Sequence, residues 1–172
     1  MKKTVVTFGL ISGAVSSLMM LLTLPFMDRI GFSSKGEILG YTTIVLSFLL
    51  VFFGVRSYRE NVAGGTLGFG RAFAVGLLIT LVSCAGYVVT WEIIYFKLAP
   101  GFAEKYTAYA IDKARASGAS PQAVEETVQQ MRSFKQMYDR PVMNAAITFM
   151  EPFPIGLVVA LVSAGVLRRK AA

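Results

Sequence analysis

Met150–Lys170 reads MEPFPIGLVVALVSAGVLRRK. A carboxylate, Glu151, stands beside two prolines, Pro152 and Pro154, in an apolar run that closes on Arg168-Arg169-Lys170. A basic cluster at the end of such a run marks the cytoplasmic end of a membrane span. An ionisable side chain inside a span is expensive to desolvate and is a functional candidate by default. Pro152 has no N–H for the carbonyl of Thr148, and Pro154 has none for that of Met150. The pattern therefore predicts a transmembrane helix that is kinked or loosened at its own carboxylate.

The whole chain fits that reading. Of 172 residues, 55% are hydrophobic and 16% charged, against roughly 25% charged in a soluble domain. The formal net charge is +7. The charges cluster at the ends of apolar runs and form no long basic tract, which points to anionic lipid headgroups rather than nucleic acid. Histidine is absent and there is one cysteine, Cys84. Cys/His zinc sites, His-dependent catalysis and intrachain disulfides are thereby excluded. The glycines of Arg56–Arg71 (RSYRENVAGGTLGFGR) lack the Gly-Lys-Ser/Thr of a phosphate loop and read as a flexible turn. No catalytic residue, cofactor or metal site is expected, and the protein is expected not to be an enzyme.

Four uncharged or nearly uncharged runs predict four transmembrane helices, at about 4–27, 38–55, 72–96 and 142–167, in one integral membrane domain. At ~1.5 Å per residue each can cross a hydrocarbon core of ~30 Å. Lys2-Lys3 before an apolar run also begins a signal peptide, but Thr4–Met27 is too long for the usual apolar region and no Ala-x-Ala site follows. Each span carries a seam of small residues that lets backbones approach: Gly9 and Gly13 in the first, Gly40, Ser47 and Gly54 in the second, Gly76 in the third and Gly156 in the fourth. The Gly9/Gly13 pair serves either as a dimerisation face or for packing against a neighbouring span.

The segment at about 98–140 is the one sizeable stretch outside the apolar runs. It predicts two amphipathic helices, one carrying Phe102, Tyr106 and Tyr109 on a face, the other starting at Ser120-Pro121 and carrying Val124, Val128, Met131, Phe134 and Tyr138. The fold class is thus an all-α membrane protein of four transmembrane helices, with an amphipathic two-helix outer insertion between the third and fourth spans. The insertion forms either a small cap lying on the membrane or on the bundle mouth, or a docking surface for a partner or a lid over an outer pocket. Eight basic residues (Lys2, Lys3, Arg56, Arg59, Arg71, Arg168, Arg169, Lys170) share one side with a single acid, Glu60. By the positive-inside rule both termini are cytoplasmic and the insertion is extracytoplasmic, in a bacterial inner membrane.

With that topology Glu92, near the outer end of the third span, and Glu151 both fall in the outer half. They could line one polar pocket under the insertion, with Thr148, Tyr87 and Tyr95 as hydrogen-bonding neighbours. Lys97, Arg29 and Arg140 are further candidate partners.

The Lys-Lys start with its glycine-bearing first span (KKTVVTFGLISG), GFGRAFAVGLLITLVSCAGYVVTWEI in the third and PIGLVVALVSAGVLRRK at the close resemble a bacterial membrane family, number 4199 among the domains of unknown function. The resemblance implies four spans and carries over no activity and no catalytic residue. The expected function is a non-enzymatic accessory or assembly subunit, or a small homo-oligomer, with the lipid bilayer and a membrane protein as partners. The alternative is a small transporter or channel using Glu92 and Glu151.

Overall fold

The structure, a computed structural model, describes residues 1–27 and 32–169. Asp28, Arg29 and Lys170 lie outside the described residues, and with them part of the first turn and the end of the basic triplet. Four helical segments are long and apolar enough to cross a membrane: Lys2–Phe26, Ser34–Asn61, Phe69–Leu98 and Pro141–Leu167. The chain is an all-helical, multi-pass membrane protein.

The first span is α1 (Lys2–Thr23), which tightens into a 3-10 turn, Leu24–Phe26, at Pro25. The second, α2 (Ser34–Asn61), runs past the end of its apolar stretch at Val55. A helix needs only its own backbone bonds to continue into water, and Arg56 Nε to Glu60 Oε1, 3.0 Å, reinforces the extra turn. The turn that follows is therefore shorter than the sequence suggests. Gly64 and Gly65 take it through φ +65° and +86°, a region other residues enter only at a cost. Leu67 and Arg169 then exchange backbone hydrogen bonds of 2.9 and 2.8 Å, tying this turn to the end of the fourth span.

The third span is α3 (Phe69–Ile93) followed by a π turn, Ile94–Leu98. Next come α4 (Phe102–Ala116) and α5 (Pro121–Tyr138), separated at Gly118, φ +74°. Ser120 caps α5 by accepting a hydrogen bond from Ala123 N at 3.2 Å. The fourth span is broken: α6 (Pro141–Met150) ends where Glu151 and Pro152 form a turn, and α7 (Phe153–Leu167) resumes. Glu151 N bonds back only three residues, to Thr148 O at 3.4 Å. The missing proline donors account for the break.

Helix α3 is the hub, packing against α1, α2, α6 and α7; α1 also meets α2, and α2 meets α7. The approaches are close because glycines face the partner. A Cβ built on Gly9 would stand 2.6 Å from Val82 Cβ, one on Gly13 3.2 Å from Ser83 O, and one on Gly76 3.1 Å from Ala160 Cβ. On Gly54 it would meet Phe8 Cγ at 3.0 Å, and on Gly156 it would collide with Thr80 Cγ2 and lie 2.9 Å from Phe48 Cζ. The Gly9/Gly13 face is thus occupied inside the chain by α3. Gly40 is the exception: nothing stands within 4 Å of a Cβ there, so this seam position is an opening rather than a helix contact.

Hydroxyls join α1, α2 and α3 at their buried centre. Ser83 Oγ donates to Ser12 Oγ at 2.9 Å, Ser12 Oγ to Ser47 O at 2.9 Å, and Ser16 Oγ lies 2.9 Å from Ser47 Oγ. Thr80 Oγ1 reaches Gly156 O at 3.3 Å, joining α3 to α7. In hydrocarbon there is no water to take these protons, so small residues and hydroxyls supply the adhesion that apolar burial cannot.

Gly156→Leu is expected to displace α7 from α3 and α2 and to lower stability by at least the about 1–3 kcal/mol of ordinary overpacking. Gly40→Ala is expected to be neutral or stabilising, since alanine favours a helix by roughly 0.5–1 kcal/mol over glycine. Thermal unfolding in detergent compares the two; equal losses would contradict the packing described.

Candidate functional site

The end of the bundle bearing α4 and α5 is not closed. There α6 packs on α3 and α5, whereas the principal fourth-span neighbour of α2 is α7. The break at Glu151–Pro152 lets the two halves of the span take different partners. The space left between them is a cavity of about 800 Å³. Its walls come from α2 (Gly40, Tyr41), α3 (Tyr87, Trp91), α4, α5 and α6, with Glu151 at the break. Size and lining fall in the range of small-molecule sites, largely apolar with a few convergent polar groups.

Glu151 is exposed in this opening. One of its oxygens, Oε2, accepts a 2.9 Å hydrogen bond from the Tyr87 hydroxyl. Beside it runs a chain of polar groups whose donor directions follow from chemistry. Trp91 Nε1 can only donate, and does so to Tyr138 Oη at 2.8 Å. Asn144 Nδ2 donates to Tyr138 O at 3.1 Å, leaving Asn144 Oδ1 to accept from Thr148 Oγ1 at 3.3 Å. Thr148 Oγ1, its proton so committed, accepts from Tyr138 Oη across 3.2 Å. The indole, phenol, hydroxyl and amide are mutually satisfied, so this wall is rigid.

Of the residues expected to form a site, Tyr87, Thr148 and Glu151 come together around the cavity. Glu92 and Tyr95 do not join them. Glu92 is half-buried on α3 and does not line the cavity, and its Oε1 has no hydrogen-bond partner among the described residues. The pocket expected to be shared by Glu92 and Glu151 is corrected to one that Glu151 lines without Glu92, because the break sets Glu151 against Tyr87, a turn and more before Glu92. Tyr95 instead donates to Asp139 Oδ1 at 2.6 Å. Lys135 Nζ bridges Asp139 Oδ2 at 2.7 Å and Glu104 Oε1 at 3.1 Å, fastening α5 to α4 and to the end of the third span. The Lys135 ammonium first, and then the Tyr95 hydroxyl, hold Asp139 below the ordinary aspartate range. Lys97 is exposed.

Sequence reasoning missed Asn144 and Tyr138 as site residues. Asn144 is fully buried, and Asn144, Thr148 and Glu151 fall at i, i+4 and i+7, one face of a helix. That polar stripe in NAAITFME was the available signal. Tyr138 had none, since its partners lie on two other helices.

A second opening, about 140 Å³, lies between α1 and α2, lined by Met19, Met20, Met27, Leu39 and Ile44 among others. It shares Met20, Met27, Gly36, Gly40 and Tyr87 with the larger cavity, so the two adjoin.

The family described as protein of unknown function (DUF4199) matches residues 7–169. No curated protein and no solved structure matches the chain.

Tyr138→Phe is expected to lose the group that satisfies Trp91 Nε1 and to cost about 1–3 kcal/mol. The emission of Trp91, the sole tryptophan, should change with it. An unchanged spectrum and melting temperature would contradict the donor chain.

Proposed function

The chain belongs to the DUF4199 family, whose description assigns no activity, and from that premise we propose a non-enzymatic accessory protein of the bacterial inner membrane that works by holding an amphiphile in the cavity beside Glu151. One observation carries the reading. A cavity of about 800 Å³ with a hydrogen-bonded polar wall opens in a bundle whose spans meet at glycine contact at Gly9, Gly13, Gly54, Gly76 and Gly156. A chain that needed only to fold would gain by closing it, because empty space forfeits dispersion contacts. The residue inventory supports binding rather than catalysis: no histidine, and a lone Cys84 that is buried.

In this reading both termini are cytoplasmic, and α4 and α5 lie on the opposite side as a cap over the cavity. The supporting pattern is the gathering of Lys2, Lys3, Arg56, Arg59, Arg71, Arg168 and Arg169 at the ends of the spans remote from α4 and α5. Transport is the second reading, favoured by the broken helix at Glu151, since discontinuous spans line the substrate sites of many transporters. Its expected pair of carboxylates is reduced to Glu151.

Native mass spectrometry of protein extracted in mild detergent tests the binding reading. A retained amphiphile is expected in the wild type and is expected to be lost in Gly40→Phe, whose side chain would fill space now open. Absence of any retained mass from the wild type would overturn the reading, and Glu151-dependent ion flux in liposomes would favour transport. For orientation, Ser117→Cys is expected to react with an impermeant maleimide added outside intact spheroplasts. Reaction only from the cytoplasmic side would invert the topology.

A further inference from the structure

We infer that the amphiphile is cationic: an ammonium head seated against Glu151 in an aromatic box, with its apolar tail in the methionine-lined groove between α1 and α2. The inference rests on the binding reading above and adds the chemistry of the ligand. Three independent features point to it.

The first is charge. Among the described residues, the acids and bases lining the cavity are Glu37, Glu151 and Lys113, two carboxylates against one ammonium. Lys113 is already engaged over the Tyr109 ring, 5.9 Å from its centroid. No cation pairs with Glu151 among the described residues; its carboxylate accepts from the neutral Tyr87 hydroxyl. That donor engages one carboxylate oxygen, Oε2, of a side chain that lines the opening. A cation is the complement of the charge that the described residues place there.

The second is the wall. Tyr41, Tyr87, Trp91, Phe102, Tyr106 and Tyr138 all line the same space. Aromatic faces carry negative quadrupole potential and attract ammonium groups, most strongly when water is excluded, and ammonium ligands are characteristically held in such cages. The box is pre-formed. Trp91 is fixed by Tyr138 and stands edge-on to Phe102 at a centroid distance of 4.9 Å, and Phe102 in turn stacks on Tyr106 at 6.3 Å. An anionic head would meet both the carboxylate and the ring faces unfavourably.

The third is the continuation. The groove between α1 and α2 borders the box at Met20, Gly40 and Tyr87, which line both. Its lining by Met19, Met20 and Met27 gives flexible, polarisable surfaces that adapt to an alkyl chain of no fixed shape. Gly40, with no neighbour within 4 Å of a built Cβ, keeps the junction open. An ammonium head without a tail would leave this groove unfilled.

The test uses the full chain in maltoside micelles with Trp91, the sole tryptophan and a wall of the box, as reporter. Dodecyltrimethylammonium, dodecyl sulfate and tetramethylammonium are titrated separately. A saturable change in emission is expected for dodecyltrimethylammonium, with a midpoint at least tenfold lower than for either of the others. Glu151→Gln should raise that midpoint about tenfold or more. Gly40→Phe, which keeps the carboxylate and fills the junction, should abolish saturation while leaving the fold intact. Equal responses to the cationic and anionic dodecyl probes, with a retained amphiphile still seen by mass spectrometry, would overturn the cationic head and leave the binding reading standing. No saturable response to any probe from a protein with no retained amphiphile would overturn both. If Glu151→Gln fails to fold, Tyr87→Phe keeps the carboxylate and removes its donor. It is expected to bind the cation at least as well as the wild type, and loss of binding there would count against the carboxylate as the counter-ion.

Discussion

The contact of α3 with α1 and α7 at the distance of glycine and serine backbones is the constraint on which the rest of the molecule depends. Lipid tails are as apolar as leucine, so burying leucine between helices gains little. What remains is dispersion at close range and hydrogen bonding where water is absent. The Gly9–Val82, Gly13–Ser83 and Gly156–Thr80 approaches provide the first. The Ser83–Ser12–Ser47 chain and the Thr80–Gly156 bond provide the second. Large apolar side chains such as Leu10, Leu22 and Val166 are left exposed on the outside of the bundle, where the hydrocarbon solvates them.

That tight half makes the open half possible. Since α7 is held against both α2 and α3, the fourth span can break without losing its place. The break frees α6 to follow α3 and α5, and the wedge between α2 and α6 becomes the cavity. The same two prolines that interrupt the helix set Glu151 at the interruption. A carboxylate there is not enclosed by its own helix, so it can be reached from the opening and held by Tyr87. The Tyr95–Asp139–Lys135–Glu104 chain keeps α4 and α5 seated as part of the wall.

Much of this was legible in the residues. Apolar runs of spanning length, small-residue seams and the proline break all rest on local or periodic rules, and those rules hold whatever the neighbours are. Helix ends were less legible, because hydropathy marks where hydrocarbon would stop and not where the backbone stops coiling. Thus α2 continues through Arg56–Asn61. The seams were read correctly as small faces, but Gly40 shows that a small residue can border a space as well as a contact.

The sequence by itself determined the four spans, the interruption at Glu151 and the absence of the residue types most catalysis needs, because spacing and composition are properties of the chain alone. Which groups meet was decided only by tertiary structure. Glu151 could have joined Glu92, Tyr95 or a base by any rule of spacing. The packing of α3 against both halves of the fourth span instead set it on Tyr87 and left Glu92 outside the cavity. Pairings between helices depend on their rotation and relative depth, and a shift of one turn, about 5 Å, exchanges every partner.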